Sequence, residues 1–77
     1  MLQQILHDFG LNEAEITTYN ELLASGPQTA GKLAKSLGFP RSSVYGFLED
    51  LGKKGLVVES QKEKVKLFEA ERPEKIN

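Results

Sequence analysis

The sequence predicts a mainly α fold closed by a small β-hairpin, a winged helix–turn–helix, and three observations predict it. Apolar residues recur at helical spacing in four successive segments. Glycine or proline stops each of them. After Gly55 the pattern changes to two short runs of strand type. With 77 residues the chain is expected to be one domain, residues 1–72, with 73–77 as a C-terminal tail broken off at Pro73.

Leu2, Ile5, Leu6 and Phe9 form the first helical stripe, ended by Gly10. Asn12 followed by Glu15 has the spacing of a capping box, with Asn in place of Ser or Thr. It opens a second helix, about Glu13 to Ser25, whose stripe is Ile16, Tyr19, Leu22 and Leu23 and whose stop is Gly26-Pro27. Thr29 is placed to cap a short third helix, about Ala30 to Leu37, that buries Leu33, Ala34 and Leu37. Gly38 ends it in a left-handed conformation, which glycine adopts without steric cost.

Phe39-Pro40 turns the chain into a fourth helix, from Pro40 or Arg41 to Leu51, with Val44, Phe47, Leu48 and Leu51 inward. Gly52 and Gly55 bracket its end, and Lys53-Lys54 suit the negative pole of the helix dipole. Residues 56–60 and 65–69 then read as strands, and 61–64 as a polar loop without an Asn-Gly turn.

Composition narrows the function classes. The apolar fraction of 39% and the charged fraction of 27% are those of a globular chain. There is no Cys, one His, and no spacing of a metal site, phosphate loop or nucleophile–base pair, so no enzyme, metal or cofactor is expected. His7 reads as a surface residue. Met1 to Leu11 carries no targeting signal, and no run approaches the roughly 20 apolar residues that span a bilayer, so a cytoplasmic protein is expected.

The net charge of −1 hides an asymmetry. Residues 1–31 carry four acids and no Lys or Arg, residues 32–54 carry five bases and two acids, and residues 55–77 carry five of each. A local field of this kind governs binding more than the total does. The basic stretch coincides with the two helices joined at Gly38, the order in which one helix braces a second against a duplex.

The outward face of the fourth helix carries Ser42, Gly46 and Glu49, flanked by Arg41, Ser43, Tyr45 and Asp50. Arg41 suits a guanine edge or a phosphate, the serines suit either, and the Tyr45 hydroxyl suits phosphate. Gly46 costs about 1 kcal/mol against Ala in a helix, which close approach of a duplex would offset. Lys62, Lys64 and Lys66 alternate, so a continuous strand would set them on one face, gripping phosphates. The candidate DNA-contact residues are therefore Thr29, Lys32, Arg41, Ser42, Ser43, Tyr45, Gly46, Lys53, Lys62, Lys64 and Lys66.

Other roles compete. The three wing lysines also suit protection of an exposed strand edge. Tyr45 can pack partly on the core, Tyr19 reads as core, and Glu49 and Asp50 read as solvated acids that repel phosphate. The expected function is sequence-specific binding of double-stranded DNA as a transcription regulator, the helix at about 40–51 in the major groove and the wing at about 56–69 on phosphates. The alternative is a winged helix used for protein–protein contact, favoured by Gly46, by Glu49-Asp50 and by the acidic first two helices. The stripe of the first helix has enough apolar surface for a homodimer contact.

From about Leu6 to Pro73 the sequence resembles the N-terminal domain of the TrmB-type regulators, sugar-responsive transcription factors found mostly in archaea. The resemblance rests on Phe9-Gly10-Leu11-Asn12-Glu13, Gly26-Pro27-Gln28-Thr29-Ala30, Phe39-Pro40-Arg41-Ser42-Ser43-Val44-Tyr45 and Leu51-Gly52-Lys53-Lys54-Gly55-Leu56-Val57. It implies DNA binding, usually as a dimer, with Arg41, Ser42, Ser43 and Tyr45 as the matching recognition-helix residues. Gly46 departs from the larger residue usual there. Long members continue into a coiled coil and a sugar-binding domain. No small-molecule effector domain is expected within these 77 residues.

Overall fold

The computed structural model describes residues 10–71. The expected first helix (Leu2 to Phe9), with the dimer contact assigned to it, and the tail at 73–77 lie outside the described residues. Three helices follow in order, α1 (Glu13–Ser25), α2 (Ala30–Leu37) and α3 (Arg41–Lys53), and then an antiparallel hairpin of β1 (Val57–Lys62) and β2 (Val65–Ala70).

The local signals act as the residue types dictate. Asn12 accepts from the Glu15 N–H at 2.8 Å and the Glu15 carboxylate accepts from the Asn12 N–H at 3.0 Å, so the capping box closes in both directions. Thr29 Oγ1 accepts from the Lys32 N–H at 3.1 Å and opens α2. Gly38 closes that helix at φ 77°, ψ 22°, its N–H bonded to the Ala34 carbonyl. The α3 helix runs two residues past the expected Leu51, to Lys53, because Gly52 stays helical and the chain turns at Gly55, φ 76°.

The core lies where the three helices meet the root of the hairpin. Ile16, Tyr19 and Leu22 of α1, Leu33 of α2, Val44, Leu48 and Leu51 of α3, and Leu56, Val57 and Phe68 of the hairpin root are all buried. Phe47, expected to be fully inward, is half-buried and packs edge-on against Phe39 at 5.4 Å between ring centres. Tyr19 is fully buried, and its hydroxyl donates to the Glu71 carbonyl, tying α1 to the end of β2.

Two features of the hairpin differ from the sequence expectation. The four-residue loop at 61–64 is a two-residue turn, Glu63-Lys64, with φ of 51° and 70°. Positive φ at both positions is the geometry that matches the twist of paired strands, here adopted without the usual Asn-Gly. The turn also resets the alternation of side chains. Gln61 faces Lys66 and Lys62 faces Val65 across the ladder, so Lys62 and Lys66 point to opposite faces and Lys64 sits in the turn. The expected single row of Lys62, Lys64 and Lys66 does not form.

The second feature is an added bridge. Gln28, in the link between α1 and α2, donates to and accepts from Phe68 at 3.0 and 2.8 Å. This one-residue pairing covers part of the outer edge of β2 and fixes the wing to the helical body.

The turn yields a first prediction. Left-handed backbone costs about 1–2 kcal/mol per non-glycine residue. Replacing Glu63-Lys64 by Asn-Gly should raise the unfolding free energy by about 1 kcal/mol. Urea denaturation measures it, and an unchanged or lower midpoint would show that the turn is not strained.

Candidate nucleic-acid interface

The N-terminal half of α3 is its exposed end. Pro40 has no side-chain donor or acceptor to offer, so the first amides of α3 lack a side-chain cap and remain free to meet an acceptor from outside. Arg41, Ser42, Tyr45 and Gly46 are exposed and Ser43 is half-buried. A Cβ built on Gly46 meets nothing within 4 Å, so no contact within the protein requires glycine there. Tyr45 is 47% exposed. Its ring meets that of Phe68 in a T-shaped contact at 6.4 Å between centres, so it leans on the wing while staying about half exposed.

Arg41 makes no ion pair among the described residues. It borders a shallow depression of about 290 Å³ where α2, α3 and the wing converge. Thr29, Tyr45, Lys64 and Lys66 also line that depression, and among the described residues no carboxylate does. Four of the expected contact residues from three separate elements are thus brought to Arg41. Lys32 is exposed one turn along α2, and Ser42 and Gly46 lie on the adjoining outward face of α3. Lys53 is at the far end of α3, 3.8 Å from Glu49 with both side chains largely exposed, and Lys62 is on the far face of the wing. Lys66 reaches Glu59 at 3.6 Å, an exposed pair that holds it weakly.

The acids of α3 part company. Glu49 stays on the outward face in a loose, exposed pair with Lys53 at 3.8 Å. Asp50 keeps 38% of its side chain exposed, as expected of a solvated acid, and also bonds with Lys54 at 2.7 Å and with the carboxyl of Glu15 on α1. Burial, reinforced by the bond to Asp50, pushes the Glu15 pKa up. The bonds from Glu15 and Lys54 push the Asp50 pKa down. The contact between the Glu15 and Asp50 carboxyls links α1 to α3. Sequence reasoning assigned Glu15 to its cap alone, because no local spacing reports a partner on another helix.

The sign of the pH dependence follows. Glu15, with its pKa raised, contributes stability that is full below its usual range and is lost as pH rises through the elevated value. Asp50, with its pKa lowered, contributes stability above its usual range that is lost as pH falls through the depressed value. Stability from this pair is therefore greatest in the acid range between the two. In Glu15→Gln the amide can still donate to Asp50 and its oxygen can still close the capping box. The wild-type melting temperature should fall as pH rises out of the carboxylate range, and Glu15→Gln should flatten that fall. A pH series of melting curves reads it, and parallel profiles would remove the link between Glu15 and Asp50.

Among the described residues no group of three or more His, Cys, Asp or Glu forms a metal site, and no helix is long and apolar enough to cross a membrane.

Comparison with known proteins agrees with this architecture. The chain is similar to the transcriptional regulator Tm0710 of Thermotoga maritima, with a TM-score of 0.82 at 22% identity over 95% of this chain and 54% of that one. It is also similar to a MarR family protein of Bacillus stearothermophilus, with a TM-score of 0.78 at 20% identity over 91% of this chain and 50% of that one. At these identities the likeness concerns the fold, which is a winged helix–turn–helix. In sequence, 54 residues are 39% identical to the HTH-type sugar sensing transcriptional regulator TrmBL1 of Pyrococcus furiosus. That match covers 70% of this chain and 16% of the relative, so the chain corresponds to a small part of that protein's length. Residues 6–74 match the family described as sugar-specific transcriptional regulator TrmB, and the chain belongs to that family.

Proposed function

We propose that the chain is a DNA-binding transcription regulator whose α3 enters the major groove while the wing tip meets phosphates. The observation that carries this reading is the carboxylate-free depression at Arg41, with the uncapped, exposed start of α3 beside it. Free helix amides, one unpaired arginine, two serines and lysines from the wing suit a polyanion that also displays base edges. Membership of a regulator family and winged-helix neighbours support it further.

Arg41, Ser42 and Tyr45 are assigned to the duplex directly, with Ser43 at the margin, Thr29 and Lys32 on flanking phosphates, and Lys64 and Lys66 as wing contacts. Lys62 and Lys53 are assigned at most long-range electrostatic roles. The domain is taken to span residues 1–72, with two copies pairing through the Leu2–Phe9 stripe. Such a pair would set two α3 helices in successive major grooves, about 34 Å apart. The reading as a protein–protein module is not favoured, since the family and the fold neighbours are transcriptional regulators and each acid of α3 has a lysine within reach.

Selection of bound duplexes from a random pool, followed by mobility shifts at several salt concentrations, tests the proposal. A two-fold symmetric motif bound in a salt-dependent manner is expected. Equal failure to bind every duplex at low salt would overturn it. Gly46 adds a prediction: Gly46→Ala should stabilise the fold by about 1 kcal/mol, since the added methyl meets open space. The same variant should bind its duplex more weakly where backbone and groove are closely apposed, and unchanged affinity would show that they are not.

A further inference from the structure

We propose that Gly31 is a positioning residue for Arg41, an inference that rests on the reading of the Arg41 surface as a duplex-binding face. Gly31 lies in the first turn of α2, and its φ is not in the left-handed region, so any L-residue fits the backbone there. Glycine at a helical position is unfavourable relative to alanine, so the local conformation gives no reason for it. The three heavy atoms nearest to a Cβ built on Gly31 all belong to the Arg41 guanidinium: Nη2 at 3.0 Å, Cζ at 3.5 Å and Nε at 3.6 Å. The missing methyl is the space into which the guanidinium settles.

Among the described residues no carboxylate pairs with Arg41. The start of α2 and the start of α3 are both positive dipole ends, which do not attract a cation. Room therefore decides where the guanidinium lies, and Gly31 provides that room at the edge of the depression that Thr29, Tyr45, Lys64 and Lys66 share with it. There the guanidinium lines the depression beside the exposed start of α3. A guanidinium reads a guanine edge or a phosphate through paired, directional hydrogen bonds, so a displacement of a few tenths of an ångström or a change of rotamer matters. The displaced partner is the end of a flexible side chain rather than backbone. A methyl at Gly31 therefore moves Arg41 and leaves α2 in place.

The test uses the full chain and the duplex selected as above, with Gly31→Ala, Arg41→Ala and Arg41→Lys singly and in combination. Gly31→Ala should weaken binding about fivefold to tenfold with a melting temperature equal to or above wild type. In the Arg41→Ala and Arg41→Lys backgrounds, adding Gly31→Ala should change affinity less than about twofold, because no planar fork remains to be displaced. An equal loss in all three backgrounds would overturn the inference, since the methyl would then be obstructing the duplex directly. A loss accompanied by a lower melting temperature would overturn it too, because the fold and not Arg41 would have been disturbed. The free protein provides an arm independent of DNA. The NMR signal of Arg41 Nε–H should shift in Gly31→Ala, and an unmoved signal refutes the positioning role. If wild type binds no duplex while that signal shifts, the DNA reading fails and the packing of Arg41 on Gly31 stands.

Discussion

Arg41→Ala should lower affinity for the selected duplex about tenfold or more, the value of a well-formed arginine contact to a base edge or phosphate. The side chain is exposed, makes no ion pair among the described residues and lines a depression without acids. Its removal should therefore leave the unfolding free energy within about 0.5 kcal/mol of wild type. The two quantities separate binding from folding. The salt dependence says which contact was lost. A phosphate contact reduces the slope of log affinity against log salt by about one. A base contact leaves the slope and relaxes preference at one position of the site. Affinity within about twofold of wild type, with the fold intact, would remove Arg41 from the interface and with it the orientation assigned to α3.

Phe68→Ala should cost the most stability, about 3–5 kcal/mol. A domain of this size has roughly 4–12 kcal/mol to lose, so the variant is expected to be partly unfolded near room temperature. Phe68 is 6% exposed. Its ring packs into the core and against the edge of Tyr45, and its backbone carries both hydrogen bonds to Gln28. Losing the ring thus opens the core and loosens the wing at its attachment together. Phe68→Leu, which refills most of the volume, should recover most of the loss. Denaturant melts measure both variants. A deficit under about 1.5 kcal/mol for Phe68→Ala would mean that the wing is docked by its other contacts. Since the wing carries Lys64 and Lys66, the alanine variant should also bind DNA less tightly at temperatures where it is still folded.

The helices were legible because their signals are local. Asn12 with Glu15, Thr29 before Ala30, and Gly38 after Leu37 each act within one turn of their own position, and each does in the structure what its chemistry dictates. The inward side of α3 was legible for the same reason: Val44, Leu48 and Leu51 recur at the spacing that buries one side of a helix. What escaped the sequence depends on distant or atypical partners. Glu63-Lys64 forms a turn that Asn-Gly usually marks, so the strand period was carried across it and Lys62, Lys64 and Lys66 were set on one face. The bond between Glu15 and Asp50 joins two helices, and the Gln28–Phe68 bridge is one residue long, too short for any periodicity to show. The candidate contact residues were named from their chemistry. Which of them gather around Arg41 was decided by the hairpin register and by the room at Gly31.

The bridge at Gln28 makes the hairpin a cantilever. Its fixed end is clamped by Leu56, Val57 and Phe68 and by the pairing with Gln28, whereas residues 58–66 are all exposed. Bending would then be concentrated outward of the clamp, and on the proposed reading the free end would follow phosphates at different spacings without disturbing the angle at which α3 is held. Operators that share a core sequence but differ in the shape of their flanks would be tolerated by the same molecule, with discrimination left to the rigid half and adaptation to the compliant one.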